Sequence, residues 1–179
     1  MKHVIRKAFF DYEKEEAWLN QMSARGLALT DYSWCRYVFE EAPPNQYIYR
    51  IELLENMPSH KDSVAYIKFL EENGIECVAS HLNWIFLRKK SADGPFDVYT
   101  DIDSKIKHFQ RINTMWSSLV FLEFAAGYIY IYTALVGKLN RTSLILGILL
   151  ILLGLFFFGL GSRVSTKIRR LKQERLVRE

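Results

Sequence analysis

The stretch SLILGILLILLGLFFFGLGS, residues 143–162, contains twenty residues and no charged side chain. A helix of this length rises about 30 Å, which matches the hydrocarbon core of a bilayer. The stretch before it, MWSSLVFLEFAAGYIYIYTALVG at residues 115–137, is apolar apart from Glu123 and a few hydroxyl groups. The two stretches predict two transmembrane helices joined by the short turn KLNRT. For the first stretch, a buried helix of a soluble domain is the alternative.

Basic residues are more numerous before the first apolar stretch and after the second than in the turn between them. Lys105, Lys107 and Arg111 precede the first stretch, and the turn carries Lys138 and Arg141. The basic residues after the second stretch are Arg163, Lys167, Arg169, Arg170, Lys172, Arg175 and Arg178. The positive-inside rule therefore predicts that both termini face the cytoplasm.

The charge of the chain is unevenly distributed. Residues 1–114 hold 15 basic and 17 acidic residues, whereas residues 143–179 hold 7 basic and 2 acidic residues. The basic isoelectric point thus comes from the tail, residues 163–179. This tail has no interleaved aromatic residues, so we expect no nucleic-acid partner. Two interpretations of the tail are open: it binds anionic lipid, or it only fixes the topology.

The first ninety residues repeat one order of elements. The strand-like KHVIRKAFF precedes a helix-like segment that starts at Asp11 and ends before Gly26, and two strand-like runs follow. QYIYRIELL, residues 46–54, starts the same order again, with a second helix that ends before Gly74. The pattern predicts an α+β domain over residues 1–90: a tandem, duplicated, ferredoxin-like β-α-β-β arrangement whose strands form one antiparallel sheet, with both helices on one face of it.

Aromatic residues alternate along the predicted strands. Two interpretations are open: they form a core, or they form a concave pocket for an apolar or cationic ligand with an acidic residue beside it. The candidate ligand-binding residues are Tyr37, Phe39, Tyr47, Tyr49, Glu52 and Trp84.

Residues 91–114 are predicted to link this domain to the first apolar stretch. The segment begins with SADGPFDVYTD, which has the Asp-Gly-Pro composition of a linker. Apolar residues then recur at helical spacing at Ile102, Ile106, Phe109, Ile112 and Trp116. This amphipathic helix either lies on the membrane surface or runs directly into the first transmembrane helix.

Small residues recur at helical spacing in both apolar stretches. Close approach of two membrane helices requires such residues, so we expect the two small-residue faces to pack as a hairpin, which leaves open a homodimer or a membrane-protein partner. The residues expected at this contact are Glu123, Ala126, Gly127, Gly147, Gly154 and Gly161. For Glu123 we expect a packing or partner role, because a proton relay needs a second ionisable group and the two stretches contain none.

Catalytic motifs are absent from the sequence. It contains no phosphate-binding glycine loop, no Gly-x-Ser-x-Gly elbow, no His-Glu-x-x-His and no Cys-x-x-Cys. We therefore expect no catalytic residues, no metal site and no cofactor.

Two segments carry a family resemblance: FFDYEKEEAWLNQMSARGLAL, residues 9–29, and YVFEEAPPNQYIYRIELLEN, residues 37–56. Together with the hairpin that follows, they resemble the bacterial membrane proteins known as domain of unknown function 2812. Members are often encoded beside small PadR-like transcription regulators. The resemblance implies the bacterial inner membrane and a stress- or drug-responsive pathway, and it supplies no catalytic or binding residues.

These observations favour a non-enzymatic inner-membrane protein. Its cytoplasmic domain would bind a small molecule or a protein partner in a sensory or regulatory role, and the hairpin would anchor it. The alternative is an accessory subunit of a membrane transporter or signalling complex. Its contact would be Glu123 and the glycine face, which consists of Gly147, Gly154 and Gly161.

Overall fold

The computed structural model describes residues 2–97, 99, 101–136 and 140–178, and the chain divides into two compact units, Met1–Thr100 and Asp101–Glu179. Some residues of the segments named above lie outside the described part of the chain. They are Met1 in the predicted domain, Val98 and Thr100 in the linker, Gly137 at the end of the first apolar stretch, Lys138 and Leu139 in the turn, and Glu179 at the end of the tail.

The first unit has the predicted tandem β-α-β-β order. Its elements are β1 (Lys2–Arg6), α1 (Tyr12–Ala24), β2 (Leu27–Ser33), β3 (Arg36–Glu41), β4 (Tyr47–Leu53), α2 (Lys61–Glu72), β5 (Ile75–His81) and β6 (Trp84–Lys90). The carboxylate of Asp11 accepts a hydrogen bond from the backbone N–H of Glu13 and so caps the start of α1. Gly26 and Gly74 follow the two helices with φ of 79° and 76°, a conformation that glycine adopts most easily.

The strands form two separate antiparallel sheets, in the orders β1-β3-β2 and β4-β6-β5, so the prediction of one sheet is wrong. In each sheet the register shifts inside one edge strand, between Leu29 and Asp31 in β2 and between Cys77 and Ala79 in β5. Both shifts begin three residues after the glycine that ends the preceding helix. The duplication therefore extends to the position of a β-bulge.

The two helices pack on opposite faces of the second sheet, so the prediction of one common face is wrong. Ile51 and Phe86 belong to the core cluster that contains α1 residues, whereas Ile85 and Leu87 belong to the cluster that contains α2 residues. Successive side chains of a strand point to opposite faces, so β4 and β6 are buried on both sides. An uninterrupted apolar run such as residues 85–87 is typical of strands in this situation.

Side chains of the second sheet hold the edge strand β2. The hydroxyl of Tyr49 accepts a hydrogen bond from the backbone N–H of Leu29 at 2.8 Å. The guanidinium of Arg88 donates to the carbonyl oxygen of Leu29 at 2.9 Å and to both carboxylate oxygens of Glu76 at 2.8 Å. Side chains of the second sheet thus bond both backbone groups of Leu29, the residue at which the register shift in β2 begins.

Helix α1 covers the open edge of β4 with its side chains. The Asn20 amide accepts from the backbone N–H of Tyr49 at 2.9 Å and donates to its carbonyl oxygen at 3.1 Å. Ser23 and Glu16 bond the backbone of two further β4 residues. An uncovered strand edge is a template for pairing with another chain, and these contacts remove it.

The second unit consists of α3 (Ile102–Val136) and α4 (Arg141–Arg178). Both helices are long and apolar enough to span a membrane. They contain 35 and 38 residues, so each rises about 50 Å or more and exceeds the bilayer core. The amphipathic segment of residues 102–114 runs directly into the first apolar stretch, and the basic tail continues the second one as helix.

The polar ends of α3 and α4 remain paired beyond the apolar stretches. The hydroxyl of Ser165 donates to the amide oxygen of Asn113 at 2.7 Å, and Arg175 lies 3.0 Å from the carboxylate of Asp103. Buried apolar residues in these segments are Ile106, Phe109, Ile112, Ile168 and Leu171. The apolar face of the amphipathic segment is therefore buried within the protein.

A pH effect on stability is expected from His108, which lies in α3 and is fully buried. Burial, together with the nearby Arg111, lowers the pKa of His108 from 6.5 to about 3. The unfolded chain takes up a proton as the pH falls below about 6.5 and the folded chain does not, so acid favours unfolding. We expect a stability loss of about 2 kcal/mol from this residue between pH 7 and pH 5.

The measurement is thermal unfolding of the purified protein at the two pH values. His108→Gln removes the titrating group, so this part of the pH dependence disappears. The control is His3→Gln, because His3 is partly exposed and pairs with Glu41 at the surface. A pH dependence that is the same in wild type and His108→Gln would contradict the assignment of a neutral, buried imidazole.

Candidate functional site

Five of the six candidate ligand-binding residues belong to one core. Tyr37, Phe39 and Tyr49 are at most 1% exposed and lie in the cluster that α1 covers. Tyr47 and Trp84 are half-buried at the margin of the same cluster. The structure therefore brings these rings together in the interior, where a ligand could reach the first three only if the unit opened.

The sixth residue, Glu52, is on the opposite side of β4 and is not part of that cluster. It is 4% exposed, and the hydroxyl of Tyr66 in α2 donates to its carboxylate at 2.9 Å. The acid close to the aromatic core is instead Glu15, which accepts a hydrogen bond from the hydroxyl of Tyr37. Burial raises the pKa of Glu15 above its usual range, against the lowering effect of this hydrogen bond.

The structure presents an exposed apolar surface that no pattern in the sequence indicated. It lies at the turns that join β2 to β3 and β5 to β6, and we call Trp34, His81 and Leu82 the hairpin-tip surface. Trp34 is 79% exposed and Leu82 is 64% exposed. The ring centroids of Trp34 and His81 are 5.3 Å apart, so the two turns are adjacent.

The backbone of this surface is strained. Trp34 and Cys35 form the two-residue turn after Ser33, with φ of 44° and 60°, and Leu82 has a φ of 52°. Bulky residues rarely adopt positive φ, and two-residue turns of this kind favour Asn-Gly. Each such residue costs on the order of 1 kcal/mol or more. In the sequence, the strain could have been inferred from the tight turn Trp34-Cys35, which contains neither Asn nor Gly.

The base of the first turn is cationic. Arg6 and Arg36 are register partners in β1 and β3, and the backbone N–H of Lys7 donates to the carbonyl oxygen of Cys35 at 2.9 Å. Arg36 is also paired with Asp31 at 3.5 Å, and the Lys7 ammonium lies over the ring of Phe9, whereas Arg6 is exposed. This surface combines an aromatic side chain with positive charge, which suits an acidic and apolar partner.

In the second unit, the structure places Gly147, Gly154 and Gly161 of α4 against α3. The six residues that the sequence assigned to this contact are Glu123, Ala126, Gly127, Gly147, Gly154 and Gly161. A Cβ atom on Gly147 would lie 3.0 Å from the backbone oxygen of Gly127, and one on Gly154 would lie 3.3 Å from the Cβ of Glu123. Glu123 and Ala126 are half-buried. The glycine face is thus occupied by the chain's own hairpin.

A groove of about 820 Å³ runs along one side of this hairpin, and we call it the hairpin groove. Its polar end is lined by Asn113, Ser162, Ser165, Thr166 and Arg169. Its apolar end is lined by Phe121, Phe124, Ala125, Tyr128 and Phe158, with Trp116 between the two ends. The groove therefore changes from polar to apolar along the helix axes.

The fold defines a class of protein: a small α+β domain followed by a hairpin of two helices that are apolar enough to span a membrane. The family described as "Protein of unknown function (DUF2812)" matches residues 11–121, which is more than half of the chain. The chain belongs to this family, as the resemblance predicted. No curated protein and no solved structure matches the chain.

Proposed function

We propose that this protein is a membrane-anchored, non-enzymatic regulator that binds a protein partner through its hairpin-tip surface. The helices α3 and α4 anchor it in the bacterial inner membrane, with both termini in the cytoplasm. The observation that carries the proposal is the exposure of Trp34 and Leu82 on left-handed backbone. Strained residues of this kind concentrate at functional sites.

The binding energy that an exposed tryptophan can supply supports the hairpin-tip surface as the binding site. An exposed tryptophan is a common anchor of protein interfaces, where its truncation often costs 2 kcal/mol or more. The exposed ring lowers the solubility of the free domain and the turn lowers its stability, so neither feature benefits the protein without a partner. The basic residues around Trp34 favour a partner segment that carries acidic side chains next to apolar ones.

A protein partner fits the first unit better than a small molecule does. The rings that were candidates for an aromatic pocket are buried to 99% or more in Tyr37, Phe39 and Tyr49. Their polar groups already have partners, because Tyr37 donates to Glu15 and Tyr49 accepts from Leu29. A small-molecule ligand would have to displace packed core, whereas the hairpin-tip surface is accessible.

The proposal is tested by the double substitution Trp34→Asn and Cys35→Gly. Asn-Gly is the preferred sequence for this turn, so we expect the stability to rise by about 1 kcal/mol. The partner is expected to lose at least about tenfold in affinity, because the aromatic anchor is gone. The loss of affinity is measured as lower recovery of the partner among the proteins that co-purify from native membranes, by quantitative mass spectrometry. Thermal unfolding measures the stability.

The control variant is Phe69→Asn, which removes another exposed aromatic residue, 57% exposed, from α2. It is expected to retain the proteins that the double variant loses. Recovery that is unchanged in the double variant would overturn the proposed surface. Equal loss in both variants would also overturn it, since the binding would then not depend on the turn.

The alternative function is an accessory subunit that contacts a transporter or signalling complex through the glycine face. Gly154 and Glu123 already contact each other between α4 and α3, so this partner would have to open the hairpin. A subunit contact is better supported at the hairpin-tip surface. Both functions then use Trp34, and the identity of the co-purified protein distinguishes them.

A further inference from the structure

We propose that the hairpin groove binds one anionic phospholipid, with the phosphate at Arg169 and an acyl chain against Phe124 and Tyr128. The proposal requires that the hairpin spans the membrane, as in the proposed function, and is otherwise independent of partner binding. It goes beyond the general attraction of a basic tail to a lipid surface, because it assigns one site and one lipid.

The position of the groove along the hairpin matches the edge of a bilayer. Arg169 follows the uncharged stretch, which ends at Ser162, by seven residues, or about 10 Å of helix. This distance places the guanidinium at the depth of the lipid headgroups. Trp116, between the two ends of the groove, has the residue type that is enriched at this interface.

The polar end has donors that suit an anion. Among the residues that the structure describes, Arg169 has no ion pair, and the amide nitrogen of Asn113 has no acceptor, while its oxygen accepts from Ser165. The hydroxyl groups of Ser162 and Thr166 donate to backbone carbonyl oxygens within α4. The free donors are thus a guanidinium and an amide N–H, both of which bind phosphate oxygens.

The apolar end needs a hydrocarbon occupant. Phe121, Tyr128 and Phe158 line the groove and are exposed in the chain by itself. An empty groove within a bilayer would forfeit the dispersion contacts of these rings, so it fills with an acyl chain or with protein. Its volume of about 820 Å³ lies within the range of about 300–1,000 Å³ that is typical of small-ligand sites, which is room for part of a phospholipid, such as one acyl chain.

Charge favours a lipid over a second copy of this chain. Residues 104–122 and 124–173 contain no acidic residue, so the helix segments that line the groove offer no carboxylate to Arg169 of another copy. Glu123, between these ranges, is half-buried against Gly154 in the hairpin contact. An anionic phospholipid supplies both the negative charge and the hydrocarbon.

The test uses the full chain in lipid nanodiscs and the fluorescence of Trp116. Phospholipids with brominated acyl chains quench tryptophan at short range, and a Trp116→Phe variant gives the background of the other three tryptophans. Brominated phosphatidylglycerol at about 10 mol% is compared with brominated phosphatidylcholine at the same fraction in an otherwise zwitterionic bilayer. We expect the anionic lipid to quench Trp116 at least about threefold more strongly.

Two matched arginine variants assign the effect to the groove. Arg169→Gln is expected to abolish the excess quenching by the anionic lipid, whereas Arg170→Gln is expected to retain it, because Arg170 is exposed and does not line the groove. Both variants lose the same charge from the same helix, so general attraction to the surface changes equally. Equal effects of the two substitutions would overturn the specific site.

The remaining outcomes distinguish a failure of the lipid site from a failure of the membrane anchor. Equal quenching by the two lipids would overturn the anionic site while leaving the membrane anchor in place. Absence of quenching by either lipid would overturn the anchor and the site together. Native mass spectrometry that finds a dimer without bound lipid would show that a second copy fills the groove, and this result also overturns the proposal.

Discussion

Replacing Gly147 by leucine is expected to separate α3 from α4 and to lower the stability of the hairpin by about 3 kcal/mol. A Cβ atom at this position would lie 2.7 Å from a side-chain carbon of Ile131 and 3.0 Å from the backbone nitrogen of that residue. It would also lie 3.0 Å from the backbone oxygen of Gly127. Backbone atoms cannot rotate away as side chains do, so the two helices must move apart.

Gly159 is the matched control, because a Cβ atom there would meet nothing within 4 Å. Gly159→Leu makes the same chemical change in the same helix and gains the same helix propensity. The measurement is unfolding in detergent, followed by the fluorescence of Trp116, whose ring centroid is 5.7 Å from that of Phe157 in α4. If the two variants were equally stable, the close contact at Gly147 would be contradicted.

Asn20→Ala is expected to destabilise the first unit by about 3 kcal/mol, since it removes two hydrogen bonds at the edge of β4 and one within α1. Two of them join Asn20 to the backbone of Tyr49, and the third joins it to the carbonyl oxygen of Glu16. The better helix propensity of alanine offsets only about 0.6 kcal/mol. The uncovered strand edge is also expected to cause association that increases with protein concentration.

The control for this variant is Lys68→Ala in α2. Lys68 precedes Gly74 by six residues, as Asn20 precedes Gly26, but its side chain is exposed. We expect a change of about 0.5 kcal/mol or less. Denaturant unfolding measures both variants, and sedimentation at several protein concentrations measures association. A loss of stability in Asn20→Ala no larger than in Lys68→Ala would contradict the role of Asn20 at the strand edge.

The repeat of the first unit was readable from the sequence because its signals are local. Asp11 at a helix start and Gly26 and Gly74 at helix ends act within one helical turn, and the structure has the helix boundaries at these residues. The alternation of apolar and charged side chains within QYIYRIELL likewise indicated a strand with one more apolar face. It did not show which partner each face would meet, and the expectation of both helices on one face was wrong for this reason.

The candidate sites, too, were predictable from the sequence only where the signal is local. The apolar and small residues of the two long helices were visible as periodic patterns, and the structure places Gly147 and Gly154 against the other helix. The hairpin-tip surface was not visible, because exposure of Trp34 depends on how two separate turns come together. An aromatic residue in a strand-rich segment is more often buried, and only the three-dimensional packing distinguishes Trp34 from Tyr37.

The sequence alone determined the family, the tandem β-α-β-β order and the presence of two helices apolar enough to span a membrane. Composition, capping residues and short-range periodicity carry this information, since each acts over a few residues. The tertiary structure alone decided the split into two sheets, the opposite faces taken by α1 and α2, and the side-chain cover of β4. These features depend on contacts between residues far apart in the chain, such as Asn20 with Tyr49 and Arg88 with Leu29. No pattern within one segment encodes such a pairing, because its free energy exists only when both segments are folded.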